Sequence, residues 1–372
     1  MYLQRLILSD FKNIQEGDLS FSSKVNCFSG NNGAGKTNLL DAIYYLSMTK
    51  SYFTQSDTQS IRFGAPLFSL SGYYVFDQTP CEHIVCAAEI EGGKYVKRNG
   101  KSYNRFSEHV GLVPLVMVSP SDTILIHSPA EERRRFINVL LSQMDSVYIS
   151  CLQQYNRILA QRNHCLRHGN YTAEMMEVLE IQLAEKGAII YEQRAKWCAH
   201  LAPEASAYYG LLSGHQEEVG LIYHSDLTSA TMPTLLNESR QQDQMLRYTT
   251  CGIHRDDIVF TLNGRPIKRF GSQGQQKTFL IALKLAQFEI MKQRTGLTPI
   301  LLLDDVFDKL DMDRVAHLLE LVVQTHFGQI FITDSNKSRI EALVHDITNE
   351  HAFFDVAQGV VTRWSTTENG SL

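Results

Sequence analysis

Gly30-Asn31-Asn32-Gly33-Ala34-Gly35-Lys36-Thr37 fits the spacing G-x-x-x-x-G-K-[ST], which wraps a phosphate chain. Its glycines let backbone N–H groups turn inward around phosphate oxygens, Lys36 supplies charge to the outer phosphates, and the Thr37 hydroxyl is a ligand for Mg²⁺. Asn38 continues the cradle into a helix. The context agrees, because Val25–Phe28 reads as a strand before the loop and 37–46 as a helix after it. A glycine-rich turn with an incidental lysine is the competing reading, and that strand–loop–helix setting weakens it. A nucleotide with Mg²⁺ is the expected cofactor.

A second chemical cluster lies far along the chain. Ile300-Leu301-Leu302-Leu303 is the apolar run of a parallel strand buried on both faces, and it ends abruptly in Asp304-Asp305. Two adjacent carboxylates there need a cation, so Asp304 is expected to hold Mg²⁺ and Asp305 to orient or deprotonate an attacking water. Between the two clusters, Phe270-Gly271-Ser272-Gln273-Gly274-Gln275-Gln276-Lys277 opens an amphipathic helix whose apolar face is Phe279, Leu280, Leu283, Leu285, Ala286 and Ile290. Ser272 is a natural N-cap, and taken alone Ser-x-Gly-Gln is a capped turn.

These residues need a frame, and 372 residues are enough for two or three folded units. Hydrophobic residues at 44% and charged residues at 20% exclude disordered and fibrous classes. The net charge of −5 gives no support to a nucleic-acid partner, which would have to be held by a local basic patch. Seven cysteines without a C-x-x-C pair argue against disulfides and zinc and for reduced cytosolic thiols. The alternating start, interrupted by Asp10, reads as a strand rather than a signal peptide and predicts that the mature protein begins there. Apolar stretches such as Leu112–Val118 fall far short of the roughly 20 residues that span a bilayer.

Strand candidates dominate the first 120 residues, among them Leu6–Leu8, Leu19–Phe21 and a hairpin over Tyr95–Tyr103 turning at Asn99-Gly100. Helical spacing begins at Pro129 and runs through Phe136, Leu140, Tyr155 and Ile158, then from Glu174 to about Leu201. Strand signals return near Leu221 and dominate after Thr250. The expected organisation is an α/β ATPase lobe in two halves, residues 1–120 and 250–372, around a helical arm at 121–249, with a disordered tail after about 365. The longest helices are expected at about 25 to 30 residues, or roughly 40 Å.

The order of phosphate loop, Ser-x-Gly-Gln helix and acidic strand, followed by the turn Asp308-Lys309-Leu310-Asp311, is similar to that of ABC-type ATPases. The resemblance implies that Ser272 and Gly274 of one subunit contact the γ-phosphate bound at Lys36 of another, with Gln275 and Asp311 also acting in trans across the dimer. The match then narrows: Asp10-Phe11-Lys12-Asn13, the run Gly35–Ile43, Lys50-Ser51-Tyr52, Ser119-Pro120-Ser121-Asp122, Arg133–Phe136, His254-Arg255-Asp256-Asp257 and Ser272–Gln275 together resemble the RecF family over nearly the whole chain. That resemblance implies a P-loop NTPase of the ABC/SMC head type with an inserted helical arm (lobe II). It also implies ATP-dependent dimers, slow ATP hydrolysis, binding to gapped or junction DNA, and work with RecO and RecR in loading RecA. Lys12 stands where the family more often has Arg, so its phosphate contact keeps the charge and loses the planar fork. After Gln329–Ile332 the chain has Thr333-Asp334 in place of a transporter's switch His, so sensing of the γ-phosphate there falls to a hydroxyl or a carboxylate. No Gln obviously takes the Q-loop role; Ser119–Asp122 is the candidate for that place.

Two basic clusters are candidates for DNA. Lys94, Lys97, Arg98, Lys101 and Arg105 lie between Gly92 and Ser107 without an acid, interleaved with Tyr95, Tyr103 and Phe106; Arg133-Arg134-Arg135 opens the arm. For either, a solvated charged face is the plainer reading. Two other functions share a phosphate loop, the nucleotide-binding subunit of a membrane transporter and a small-molecule kinase. The missing switch His and long helical insertion count against the first, and a monomeric kinase has no use for Ser272–Gln275.

Overall fold

A computed structural model describes residues 1–76, 79–215, 217–307, 318, 320–323, 327–345 and 348–364. Alternation at the start of the chain builds an antiparallel sheet. In Tyr2–Phe11 (β1), Leu3, Leu6, Leu8 and Phe11 are buried, and a bulge at Gln4 places two exposed residues in succession. β1 pairs with Ile14–Ser20 (β2) and with Leu67–Phe76 (β4), and the sheet continues through Thr79–Glu89 (β5), Gly93–Arg98 (β6) and Lys101–Ser102 (β7). Asn99 and Gly100, at φ +50° and +81°, make the expected tight turn between β6 and β7.

The second sheet carries the chemistry. It consists of Val25–Ser29 (β3), Leu115–Val118 (β8), Ile300–Asp304 (β12), Ile330–Asp334 (β13), His351–Ala357 (β14) and Val360–Arg363 (β15), in the order β15–β14–β3–β13–β12–β8. All pairs are parallel except the β14–β15 edge. Every residue of β3, β12 and β13 is buried, which explains the apolar runs Ile300–Leu303 and Ile330–Ile332. Parallel strands end at one common edge, so Ser29, Asp304 and Asp334 come together there, with β13 between the loop strand and the acidic strand. Lys36–Met48 (α1) touches strands of both sheets, and burial on opposite sides makes it only weakly amphipathic.

The chain divides into two compact units, Met1–Ser121 with Met291–Leu372, and Asp122–Ile290. The second unit therefore reaches past the expected boundary at 249 and takes in residues 250–290, including Ser272–Gln275. Its helices are Ile124–His127 (α2), Ala130–Met144 (α3), Ser146–His168 (α4), Ala173–Ser213 (α5), Met232–Glu238 (α6), Arg240–Leu246 (α7) and Ile267–Phe270 (α8); a three-stranded sheet pairs Asp257–Leu262 (β10) with Val219–His224 (β9) and Arg265–Pro266 (β11). Gln273–Thr295 (α9) runs across the division, and a continuous helix offers no linker composition by which a boundary could be read.

α5 departs from expectation. It has 41 residues, about 60 Å at 1.5 Å per residue, because it continues through Pro203. A proline inside a helix costs about 3 kcal/mol, and burial of Ala205, Tyr209 and Leu212 beyond it offsets that cost. Lys337–His345 (α10) belongs to the first unit.

Candidate nucleotide-binding site

β3 delivers the chain to the parallel edge, where the Ser29 hydroxyl donates to Asp355 Oδ1 at 2.7 Å. The loop then needs glycine at two points. A Cβ on Gly30 would lie 2.2 Å from the Val356 carbonyl oxygen, and one on Gly35, at φ +118°, would lie 2.8 Å from Asn13 Oδ1. Asn13 braces the loop: its Nδ2 donates to the Ala34 carbonyl at 3.1 Å and its Oδ1 accepts from Asn38 Nδ2 at 2.7 Å. Lys36, only 4% exposed, donates from Nζ to the carbonyls of Gly30 (2.7 Å) and Asn31 (3.2 Å), so its charge sits over the mouth of the loop. Around Gly33 nothing would obstruct a Cβ, leaving open space against the loop.

The acidic strand meets the loop directly. Thr37 Oγ1 donates to Asp304 Oδ1 at 2.8 Å, and Thr333 Oγ1 donates to the same oxygen at 2.9 Å while accepting from the Asp305 backbone N–H at 2.9 Å. Asp304 is 4% exposed, and burial pushes its carboxyl upward, with the neighbouring Asp305 charge adding to the rise and Thr37, Thr333 and Lys36 opposing it. Asp305 is half-buried with φ +43°, a left-handed conformation that turns the chain as the strand ends. A hydroxyl and a carboxylate within hydrogen-bond distance beside a phosphate cradle are the hard oxygen donors that Mg²⁺ takes, so Thr37 and Asp304 fit that ion.

The residues after β13 divide their work. Thr333 is held in the Asp304–Asp305 network, whereas the Asp334 carboxylate accepts from Asn336 N–H at 2.7 Å and pairs with Arg339 at 2.6 Å. Of the two expected switch residues, Thr333 is thus the one in contact with the acidic pair. Lys12 Nζ lies 2.6 Å from Asp41 Oδ2, and Asp41 also accepts from Ser51 Oγ and the Tyr52 N–H. Asp41 is a lone acid on the apolar face of α1, and that misfit in an otherwise buried helix was the available signal for a partner.

In the second unit, Ser272 Oγ accepts from the Gln275 N–H at 3.2 Å and the Gln275 side chain returns to the Ser272 N–H at 2.7 Å, a capping box at the start of α9. Gln275 Nε2 also donates to Glu217. Gly274 lies in the first turn of the same helix, and Ser272 is exposed. Asp311, with the Asp308–Asp311 turn, lies outside the described residues. Ser119 follows β8 at the parallel edge, and Asp122 pairs with Lys284 at 3.0 Å.

The expected DNA clusters are largely neutralised. Lys94 pairs with Asp57 at 3.3 Å and Arg98 makes a bidentate pair with Glu82 at 2.7 and 2.9 Å, acids that reach them from other segments. Lys97 lies over the Tyr95 ring at 5.4 Å, leaving Lys101 and Arg105 as the exposed cations of that hairpin. Arg133 grips Asp257 through two bonds and the carbonyls of Leu125 and Ser128 through two more. Arg134 donates to the Asp256 carbonyl at 2.7 Å, and burial pulls its guanidinium below the usual arginine range. Both arginines serve the arm's own architecture.

A phosphate loop on one parallel strand, an acidic pair ending another and a strand between them define a P-loop ATPase of the ABC/SMC head class. The family profile "RecF/RecN/SMC N terminal domain" matches residues 2–352. The chain belongs to the RecF family: it is 46% identical to the DNA replication and repair protein RecF of Parabacteroides distasonis over 97% of this chain and 99% of that one. It is 42% identical to the RecF of Flavobacterium johnsoniae over 96% and 100%. A solved structure of the recombination mediator protein RecF with ATP, in the RecFOR pathway, superposes with a TM-score of 0.89 at 29% identity, covering 98% of each chain. An Smc head bound to the C-terminal winged-helix domain of ScpA shares the fold alone, at 15% identity and a TM-score of 0.59. Among the described residues no helix is long and apolar enough to cross a membrane.

Proposed function

We propose that this chain binds ATP and Mg²⁺ at the Gly30–Thr37 cradle, that two copies close over two ATP molecules, and that the closed pair holds DNA at gaps or junctions. In this reading it works with RecO and RecR to load RecA, and slow hydrolysis releases the pair. The observation that carries it is the Thr37–Asp304 contact of 2.8 Å beside the buried Lys36, which brings a phosphate cradle and an acidic strand end to one edge.

Each residue then has a task. Backbone N–H groups of Gly33 to Thr37 take the phosphate oxygens, and Lys36 exchanges its two carbonyl partners for the outer phosphates. Thr37 and Asp304 hold Mg²⁺, which when bound neutralises charge on the β- and γ-phosphates. Asp305 orients or deprotonates the attacking water, and the Thr333 hydroxyl holds the Asp304 carboxylate and the Asp305 backbone N–H in place. Ser272, Gly274 and Gln275 of the second copy complete the site at the γ-phosphate.

A gel-shift assay on gapped duplex DNA tests the reading. Retardation should strengthen when ATP is added; retardation that is absent, or indifferent to nucleotide, contradicts it. A transporter's nucleotide-binding subunit is not favoured, because the relatives matched over nearly their full length are named for DNA replication and repair.

A further inference from the structure

Lys94, Arg98, Arg133 and Arg134 are tied to carboxylates or backbone carbonyls, which leaves few cations of the two basic clusters for DNA and directs attention to other basic segments. From Ile258 to Phe288 the sequence contains no Asp or Glu but holds Arg265, Lys268, Arg269, Lys277 and Lys284. Lys284 is buried against Asp122, whereas Arg265, Lys268, Arg269 and Phe270 are all exposed. Among the described residues none of these three cations forms an ion pair.

Their arrangement is built. Phe270 is 53% exposed, and the guanidinium carbons of Arg265 and Arg269 lie 5.4 and 6.0 Å from its ring centroid. Two like charges are therefore held around one ring, no farther apart than those two distances together, and a nearby anion would relieve their repulsion. Lys268 Nζ donates to the His127 carbonyl at 2.7 Å, which fixes a third cation beside them. The backbone beneath is rigid: Ile267 is buried, Gln276 Nε2 donates to the carbonyls of Ile267 and Gly271, and a Cβ on Gly271 would meet Ile267 at 2.7 Å. Cations for phosphates set around an exposed aromatic face for bases are the elements of a nucleic-acid surface.

We propose that Arg265, Lys268, Arg269 and Phe270 form a DNA contact surface, the cations engaging the phosphate backbone and Phe270 the unpaired bases of a gap. The proposal rests on the DNA-binding reading above and names the surface that performs it.

Fluorescence anisotropy with a labelled gapped duplex, with ATP and at several salt concentrations, tests it. The double variant Arg265→Gln/Arg269→Gln should bind at least about tenfold more weakly, with a salt slope shallower by about 2, since each lost phosphate contact removes roughly 0.9 from it. Arg265→Lys/Arg269→Lys should stay within about threefold of wild type, because phosphate contacts need charge more than the fork. Phe270→Ala should lose affinity for gapped DNA more than for intact duplex. Unchanged affinity of the Gln pair, with wild type binding normally, overturns the surface and leaves the function standing. If wild type itself does not bind, the function and the surface fall together. If the Gln pair loses ATP-driven self-association in sedimentation, the patch belongs to the contact between copies and the proposal is overturned.

Discussion

The hydroxyl of Thr37 and the carboxylate of Asp304, 267 residues apart in sequence, meet at 2.8 Å. That contact joins the phosphate loop to the acidic strand, and because Asp304 Oδ1 also receives Thr333, two neighbouring strands of the parallel sheet, β12 and β13, and the first turn of α1 converge on one oxygen.

Lys36→Ala should remove ATP-dependent behaviour while leaving the fold intact. Its Nζ donates to the loop carbonyls of Gly30 and Asn31 and not into the apolar core, and an unneutralised phosphate chain should lower ATP turnover on the order of 10²-fold or more. Lys36→Arg should be milder for binding and still poor for hydrolysis. Nucleotide titration and turnover check both; normal turnover by Lys36→Ala would remove the loop from the mechanism.

Asp304→Asn and Asp305→Asn should part company. Asp305→Asn should bind ATP with Mg²⁺ and hydrolyse it slowly, leaving ATP-bound pairs to accumulate, whereas Asp304→Asn should lose the thermal stabilisation that ATP with Mg²⁺ confers. If the two variants behave alike, the division of labour between adjacent carboxylates is wrong.

The raised carboxyl of Asp304 gives a pH signature in the ligand-free protein. Its folded value lies above its unfolded one, so the ionised group opposes folding at neutral pH, and that penalty is absent below the unfolded value. Asp304→Asn, which can still accept from Thr37 and Thr333, should therefore melt no lower than wild type at pH 7, and any advantage should shrink as pH falls through the folded value. A variant much less stable than wild type at pH 7 would show that the charge supports the fold.

In the arm, Arg162 is almost wholly buried and binds Asp243 at 2.7 Å, Glu180 at 2.8 Å and Thr249 at 2.8 Å. Arg162→Ala leaves Asp243 buried without its cation and should cost about 3 to 5 kcal/mol in urea unfolding. A cost below about 1 kcal/mol would mean that water replaces the guanidinium.

The features legible in the sequence were those written in consecutive residues. The loop Gly30–Thr37, the apolar run ending in Asp304-Asp305, the Asn99-Gly100 turn and the Ser272 cap each follow from local sterics and burial, and each forms at its expected place. What escaped depends on partners from distant segments. An acid-free window from Gly92 to Ser107 suggested a basic surface, yet Asp57 and Glu82 reach Lys94 and Arg98 from other segments. Asp41 claims Lys12, and Asp257 claims Arg133 across 124 residues. The helix read by spacing from Glu174 to about Leu201 runs on through Pro203 to Ser213, because burial of the turns beyond the proline is a property of the packed arm and not of the local sequence. The limit of the arm at Ile290 falls inside α9, where composition does not change.

The central claim is that one ATP site is built from two copies, and complementation between two inactive variants tests it most directly. Ser272→Arg would block association but would also remove the α9 cap, at about 1 kcal/mol, so Ser272→Asp is the cleaner change: Asp still caps a helix, and sets a carboxylate where the γ-phosphate would lie. Each of Lys36→Ala and Ser272→Asp should be inactive alone. Mixed in equal amounts, they should regain a fraction of wild-type ATP turnover, because a mixed pair holds one site with an intact loop and an intact Ser272. Turnover in the mixture that merely equals the average of the two separate variants would contradict the two-copy site.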